Sequence, residues 1–171
     1  MNAKDLLLGQ LASAHSILEA TVGDISSEDA HRDLGGHAAP IAANYAHTVL
    51  GEDFLGSMAD GSQPLVMGEW GGRTGISEIP PMDGQWEAWG KRVNVDLAQL
   101  REYAQAVYGK TLGMLSSMND EDLDRPIDLS MLGMGQQNVG ALFGLLAAHA
   151  SMHTGEISNS KGVQGLKGYP F

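Results

Sequence analysis

The sequence predicts an all-α protein, a four-helix bundle with a long loop between its second and third helices. Three observations carry this. Apolar residues recur at steps of three and four along four separate segments, the pattern of helices with one buried face. No stretch of useful length alternates apolar and polar residues as a half-buried strand would. The chain of 171 residues suffices for one domain, spanning 1–171, with a core of its own.

The first helix is expected from about Asn2 to Val22, with Leu7, Leu11, Leu18 and Val22 near one face, Asn2 as N-cap and Gly23-Asp24 as the stop. A connection from Ile25 to Ala39 follows, in which Ser26-Ser27-Glu28-Asp29 can cap a short turn. The second helix is expected to start at Pro40, a residue suited to a first helical turn. It continues through Tyr45, Val49, Phe54 and Met58 and stops at Asp60-Gly61. Residues 59–84 are rich in glycine and proline, including Glu69-Trp70-Gly71-Gly72 and Ile79-Pro80-Pro81. A loop of that length in a compact domain is expected to be functional or disordered, and Gly71-Gly72 could hinge a lid or pocket wall. The third helix, from about Gln85 to Met118, sets Trp89, Val93, Leu97, Leu100, Ala104, Val107, Thr111 and Met114 on one face. Asn119-Asp120 and Arg125-Pro126 mark its exit, and a Met- and Gly-rich loop leads to the fourth helix near Gln137 or Asn138. The tail from Lys161 to Phe171 is poor helix material, yet its apolar residues suggest docking.

Composition narrows the partners. Ten Lys plus Arg against 21 Asp plus Glu leave a net charge of −11, which repels phosphate backbones and anionic lipid headgroups. Neither nucleic acid nor a membrane surface is an expected partner. With no cysteine, the chain has no disulfide, thiolate ligand or Cys nucleophile, so any metal must be held by His, carboxylate or amide groups. The run Leu6-Leu7-Leu8 is too short for a signal-peptide core. The most apolar stretch, Val139 to Met152, is interrupted by His149 and falls short of the roughly 20 residues a bilayer demands. A cytoplasmic location is the expectation.

The most informative spacing is His149-x-x-x-His153. Residues four apart on a helix project from one face about 6 Å apart along the axis, so both imidazoles can reach one metal ion. They continue a stripe of Leu142, Leu145, Leu146, Met152 and Glu156, with Ser151 and Ser158 opposite, so both are expected to face the interior. On the second helix His47 groups with Leu50, Phe54, Leu55 and Met58, and Asn44 and Gly51 flank it, leaving room and a hydrogen-bond partner. Three histidines from two helices would leave an open coordination position. The competing reading is that these imidazoles only hydrogen-bond in the core.

Of the other histidines, His15 lies near Leu8, Leu11 and Leu18 and is the one most easily mistaken for a ligand, whereas His31 and His37 are expected in solvent. Glu156, one turn beyond His153, could be a ligand, a hydrogen-bond acceptor behind a ligand, a general base or a plain surface carboxylate. The metalloprotease helix needs Glu directly after its first His, and here that residue is Ala150. Trp70, Trp86 and Trp89 could wall a pocket or simply fill the core.

With an inward His47, the His149-x-x-x-His153 pair and Gly155-Glu156 after it, the chain resembles, over nearly its whole length, the DinB-like superfamily of four-helix-bundle proteins regarded as metal-dependent enzymes. The resemblance implies that His47, His149 and His153 ligate a divalent metal ion, zinc or nickel foremost, and that the protein is a homodimer. Some relatives are transferases or isomerases that use a low-molecular-weight thiol such as mycothiol or bacillithiol, and others have no assigned activity. In a protein of the first kind the metal would hold and acidify the thiol, and the cosubstrate would supply the nucleophile, because this chain has no Cys. The leading expectation is therefore a metal-dependent transferase or hydrolase acting on a small-molecule substrate, with Glu156 a candidate for proton transfer. The alternatives are a non-catalytic, metal-stabilised binding or stress-response protein, and a dimerising helical protein with no metal.

Overall fold

The computed structural model describes residues 2–81 and 85–171. In chain order it runs through α1 (Ala3–Val22), α2 (Ser27–Ala30), α3 (Ile41–Ser57), α4 (Trp86–Arg92), α5 (Leu97–Ser117), α6 (Asp120–Asp124), β1 (Pro126–Asp128), β2 (Gln136–Asn138) and α7 (Val139–Val163). Short polar side chains set the starts of most helices by accepting backbone N–H groups that the first turn leaves unpaired. Asn2 accepts from Asp5, Ser26 from Asp29, Asp96 from Ala98 and Gln99, and Asn138 from Ala141, while Asn119 and Asp122 form a reciprocal capping box. Pro40 stands at the N-cap of α3, so the helix itself begins at Ile41, one residue after the expected start.

The long helices pack as neighbours: α1 lies along α7, α3 along α7 and α5, and α5 against α1. One apolar cluster joins Leu18, Tyr45, Val49, Leu100, Tyr103 and Val107, and a second joins Leu11, Leu115, Leu123, Leu142, Phe143 and Leu146. The histidine-bearing helices α3 and α7 are thus held side by side by burial on both flanks. Among the described residues no helix is long and apolar enough to cross a membrane.

Four expectations are corrected. The third helix is two: the chain is extended at Val93, Val95 bridges to Ile76, and Asp96 begins a new helix by capping it. An Asp side chain that bonds backbone N–H groups favours a helix start over a helix interior, so Asp96 wins against the apolar periodicity. The junction is sealed by Gly75, whose carbonyl accepts the Asp96 N–H at 2.7 Å; its φ of +75° and the backbone of Asp96 and Leu100 packed where a Cβ would sit need the absence of a side chain.

The Met- and Gly-rich loop contains an antiparallel pair, Pro126–Asp128 with Gln136–Asn138, too short to show alternation. Helix α7 continues to Val163, two residues beyond the Lys161 that was expected to open the tail. Lys161 is 2 % exposed, donates to the Thr21 carbonyl and pairs with Asp24, and so ties the end of α7 to the end of α1. In the tail Leu166 packs on the core as expected, whereas Phe171 is exposed.

The long loop, lastly, is pinned through its described part. Lys110 donates to Ser57 and to the Gln63 carbonyl, Asp53 accepts the N–H groups of Leu65 and Val66, and Trp70 packs against Tyr103. The remainder of the expected loop, 82–84, lies outside the described residues.

Candidate metal centre

His47 reaches out from the middle of α3, and His149 and His153 from successive turns of α7, and all three meet through the same ring atom. The Nε2 of His149 lies 3.3 Å from that of His47 and 3.1 Å from that of His153, and the three donor atoms fall within 4.8 Å of one another. The rings present edges rather than faces, with His153 at 82° to His47 and 80° to His149. A tetrahedral ion with metal–nitrogen bonds of 2.0–2.1 Å separates its ligand nitrogens by about 3.3 Å, which matches both spacings.

The protonation pattern suits a cation as well. Burial opposes the charge of Glu156, but hydrogen bonds from Asn44 and His153 outweigh it and hold the carboxyl below its usual pKa. An ionised carboxylate only accepts, so the 2.7 Å contact from Glu156 Oε2 to His153 Nδ1 puts a proton on Nδ1 and leaves Nε2 of the neutral ring as a lone pair. Burial, followed by the neighbouring His153, lowers the pKa of His47 to about 4 and of His149 to about 3. Both are therefore neutral at pH 7, in the form that binds metals. Three imidazole nitrogens, with no cysteine thiolate in the chain, form a set suited to borderline divalent ions.

These shifts have a consequence for the metal-free protein. In the unfolded chain both imidazoles titrate near 6.5, so as pH falls below that value the unfolded state takes up protons that the folded state refuses until about pH 4. Stability is then expected to fall with falling pH, at up to about 2.7 kcal/mol per pH unit for two protons. Urea midpoints measured from pH 7 to 4 check this, and a His47→Gln/His149→Gln variant should show a flatter profile over that window.

Gly51 supplies the space. A Cβ built on it would lie 2.9 Å from His149 Cε1, so any side chain here pushes the ring away from its partners. Gly51→Ala should leave the metal-free fold intact or stabilise it, since Ala in a helix is worth up to about 1 kcal/mol over Gly. It should nevertheless weaken zinc binding at least tenfold. Chelator competition and thermal melts of the metal-free protein read the two effects separately.

A pocket of about 160 Å³ opens beside the histidines, lined by Ala39, Ala43, Asn44, His47, Trp86, Trp89, His153 and Glu156. Trp86 meets the His47 ring edge-on at 4.4 Å. The tryptophan wall comes from α4, and residues 59–81, expected to supply a lid, contribute nothing to this lining; Trp70 belongs to the core side. A larger groove of about 560 Å³ between α1 and α7 is lined by small residues such as Gly9, Ser13, Gly144 and Ala148, far poorer in ligating chemistry.

The other histidines separate cleanly from the site. His15 is buried, stacked on Tyr108 and bonded to Glu52 at 2.7 Å. His31 is half-buried rather than solvated, because its Nε2 accepts the Val95 N–H; His37 is exposed and pairs with Glu87. Met152, expected on the inward stripe, is 58 % exposed, and the three histidines sit at the edge of the buried face, not in its centre. Asn44 bonds Glu156 at 3.0 Å instead of an imidazole. That link across two helices was missed in the sequence, where only the shared face of Asn44 and His47 hinted at it.

No protein of curated function matches the chain. Among solved structures, the crystal structure of a conserved protein from Enterococcus faecalis superposes with a TM-score of 0.79, covering 95 % of this chain and 97 % of that one at 20 % identity, a likeness of fold. A family model described as the DinB superfamily matches residues 10–157, a span that begins within α1, reaches deep into α7 and takes in all three converging histidines. With the helical fold and the histidine group on that same span, the chain belongs to the DinB superfamily.

Proposed function

We propose that His47, His149 and His153 hold a divalent metal ion, zinc or nickel, and that the protein is a metal-dependent enzyme acting on a small molecule, with a low-molecular-weight thiol as cosubstrate. The single observation that carries this is the convergence of three Nε2 atoms at 3.1 and 3.3 Å beside an open pocket. A bound ion of this class would supply Lewis acidity and lower the pKa of a coordinated thiol or water.

The chain's own groups would do the rest. Glu156 Oε2 orients the His153 ring; a carboxyl held below its usual pKa is a better orienting acceptor than a proton store at neutral pH, so its role as a proton-transfer group is the weaker one. Trp86 and Trp89 give the substrate an apolar wall, and their bulk keeps water from one side of the site.

Metal analysis of the purified protein, before and after incubation with zinc or nickel, tests the first half, with about one equivalent expected. A small fraction of an equivalent after incubation would overturn it. Turnover of a panel of thiols paired with electrophiles tests the second half. A protein that loads metal and melts higher, yet turns over none of them, would instead be the metal-stapled, non-catalytic form, since the ion bridges α3 to α7.

A further inference from the structure

The polar contacts behind His153 form a chain that crosses from one helix to the other. Asn44 Nδ2 donates to Glu156 Oε2 at 3.0 Å, and that same oxygen faces His153 Nδ1 at 2.7 Å. Asn44 is 7 % exposed and sits on α3 one turn before His47, whereas Glu156 sits on α7 with its side chain 61 % exposed. A glutamate that exposed has three rotatable bonds and a free choice of water partners, and one contact to His153 along its own helix leaves it much of that freedom. The bond from a buried amide removes that freedom. Because both contacts converge on Oε2, the carboxylate is held at one rotamer at the edge of the pocket that Asn44, Glu156 and His153 all line.

We infer that Asn44 is a positioning residue of the metal site, acting on His153 through Glu156. Its amide, from the helix that also carries His47, fixes the carboxylate that fixes the third imidazole, so the ligand on α7 is aimed from α3. The inference rests on the metal-binding reading. It adds that ligand geometry is set across the helix interface, not within α7. Carboxylate partners behind a ligating His are typically worth about 10–100-fold in metal affinity. If Asn44 works only through Glu156, its loss should cost part of that same factor and nothing beyond it.

The test is a double-mutant cycle on the full chain with cobalt(II) as probe, measuring affinity by chelator competition and ligand geometry by the visible absorption of the loaded protein. Asn44→Ala should weaken cobalt about tenfold and shift the absorption bands. Glu156→Ala should do so by about 10–100-fold. The double variant should be no weaker than Glu156→Ala within a factor of two. Asn44→Ser, whose hydroxyl is too short to span the gap, should repeat the alanine result and guards against a packing defect. Losses that multiply in the double variant, or Asn44 variants with wild-type affinity and spectrum, would overturn the inference while leaving the metal site standing. Wild-type protein that takes up no cobalt would overturn both.

Discussion

Replacing His149 by alanine should abolish stoichiometric metal binding while leaving the metal-free helices in place. His149 is the central member of the trio, with its Nε2 within 3.3 Å of both other donor atoms, so its removal leaves two imidazoles on different helices and no third ring nitrogen between them. The affinity loss should exceed the roughly 100-fold that follows from losing even an outer hydrogen-bond partner of a ligand. In wild type, zinc at 100 times its dissociation constant should add about 2.7 kcal/mol of stability, and the variant should gain almost none of it. Melting curves with and without zinc, beside direct metal analysis, measure both. The metal-free variant should unfold no more easily than wild type near pH 7 and should resist acid better, because burial holds the native imidazole near a pKa of about 3 and its proton uptake favours the unfolded chain. Equal zinc stabilisation of the two proteins would sink the three-histidine site.

The same variant separates the candidate roles. If the ion serves chemistry, activity on any substrate found should vanish in a protein whose metal-free circular dichroism is unchanged. If the ion serves only to staple α3 to α7, the lost quantity is thermal stability alone.

Much of this site was legible because a ligand pair on one helix is a local pattern: i and i+4 share a face whatever the rest of the chain does. His47 was legible through its own helical periodicity, and the caps Asn2 and Ser26 through their chemistry. What escaped is non-local or competitive. The break at Val93–Asp96 depends on Gly75, some twenty residues earlier, accepting the Asp96 N–H, and on Val95 meeting Ile76. The apolar periodicity runs on through the break because Trp89 before it, Val93 and Val95 within it and Leu100 after it all enter one core cluster. Met152 was assigned inward because a helical wheel gives an angle but not the position of the neighbouring helix; the buried line is instead Leu142, Leu146, Ala150, Thr154 and Ile157. The Asn44–Glu156 bond and the contact of Gly51 with the His149 ring exist only once α3 and α7 are side by side.

Asp53→Ala should be among the most damaging single changes outside the metal site. Its carboxylate is 2 % exposed and accepts three hydrogen bonds, from the N–H of Leu65 at 2.8 Å, the N–H of Val66 at 2.9 Å and the Tyr103 hydroxyl at 2.6 Å. Burial, followed by the hydrogen bond to Asp53, raises the Tyr103 pKa, so the phenol keeps its proton and remains a donor. Alanine would strand all three donors where water has little access, at about 1–3 kcal/mol for each group left unsatisfied, for a loss of roughly 3–5 kcal/mol. For a chain of this length that lowers the melting temperature by roughly 10 °C. Asp53→Asn should cost less, because one amide oxygen can still accept, but it turns an NH₂ toward at least one of the former donors. Since Asp53 is what draws the 65–66 turn onto α3, hydrogen exchange in 59–81 should rise more than exchange in α7. His47, His149 and His153 should then keep their metal in any fraction that stays folded. Zinc affinity measured at low temperature, alongside the melt, distinguishes this loosening of the loop from damage to the site itself.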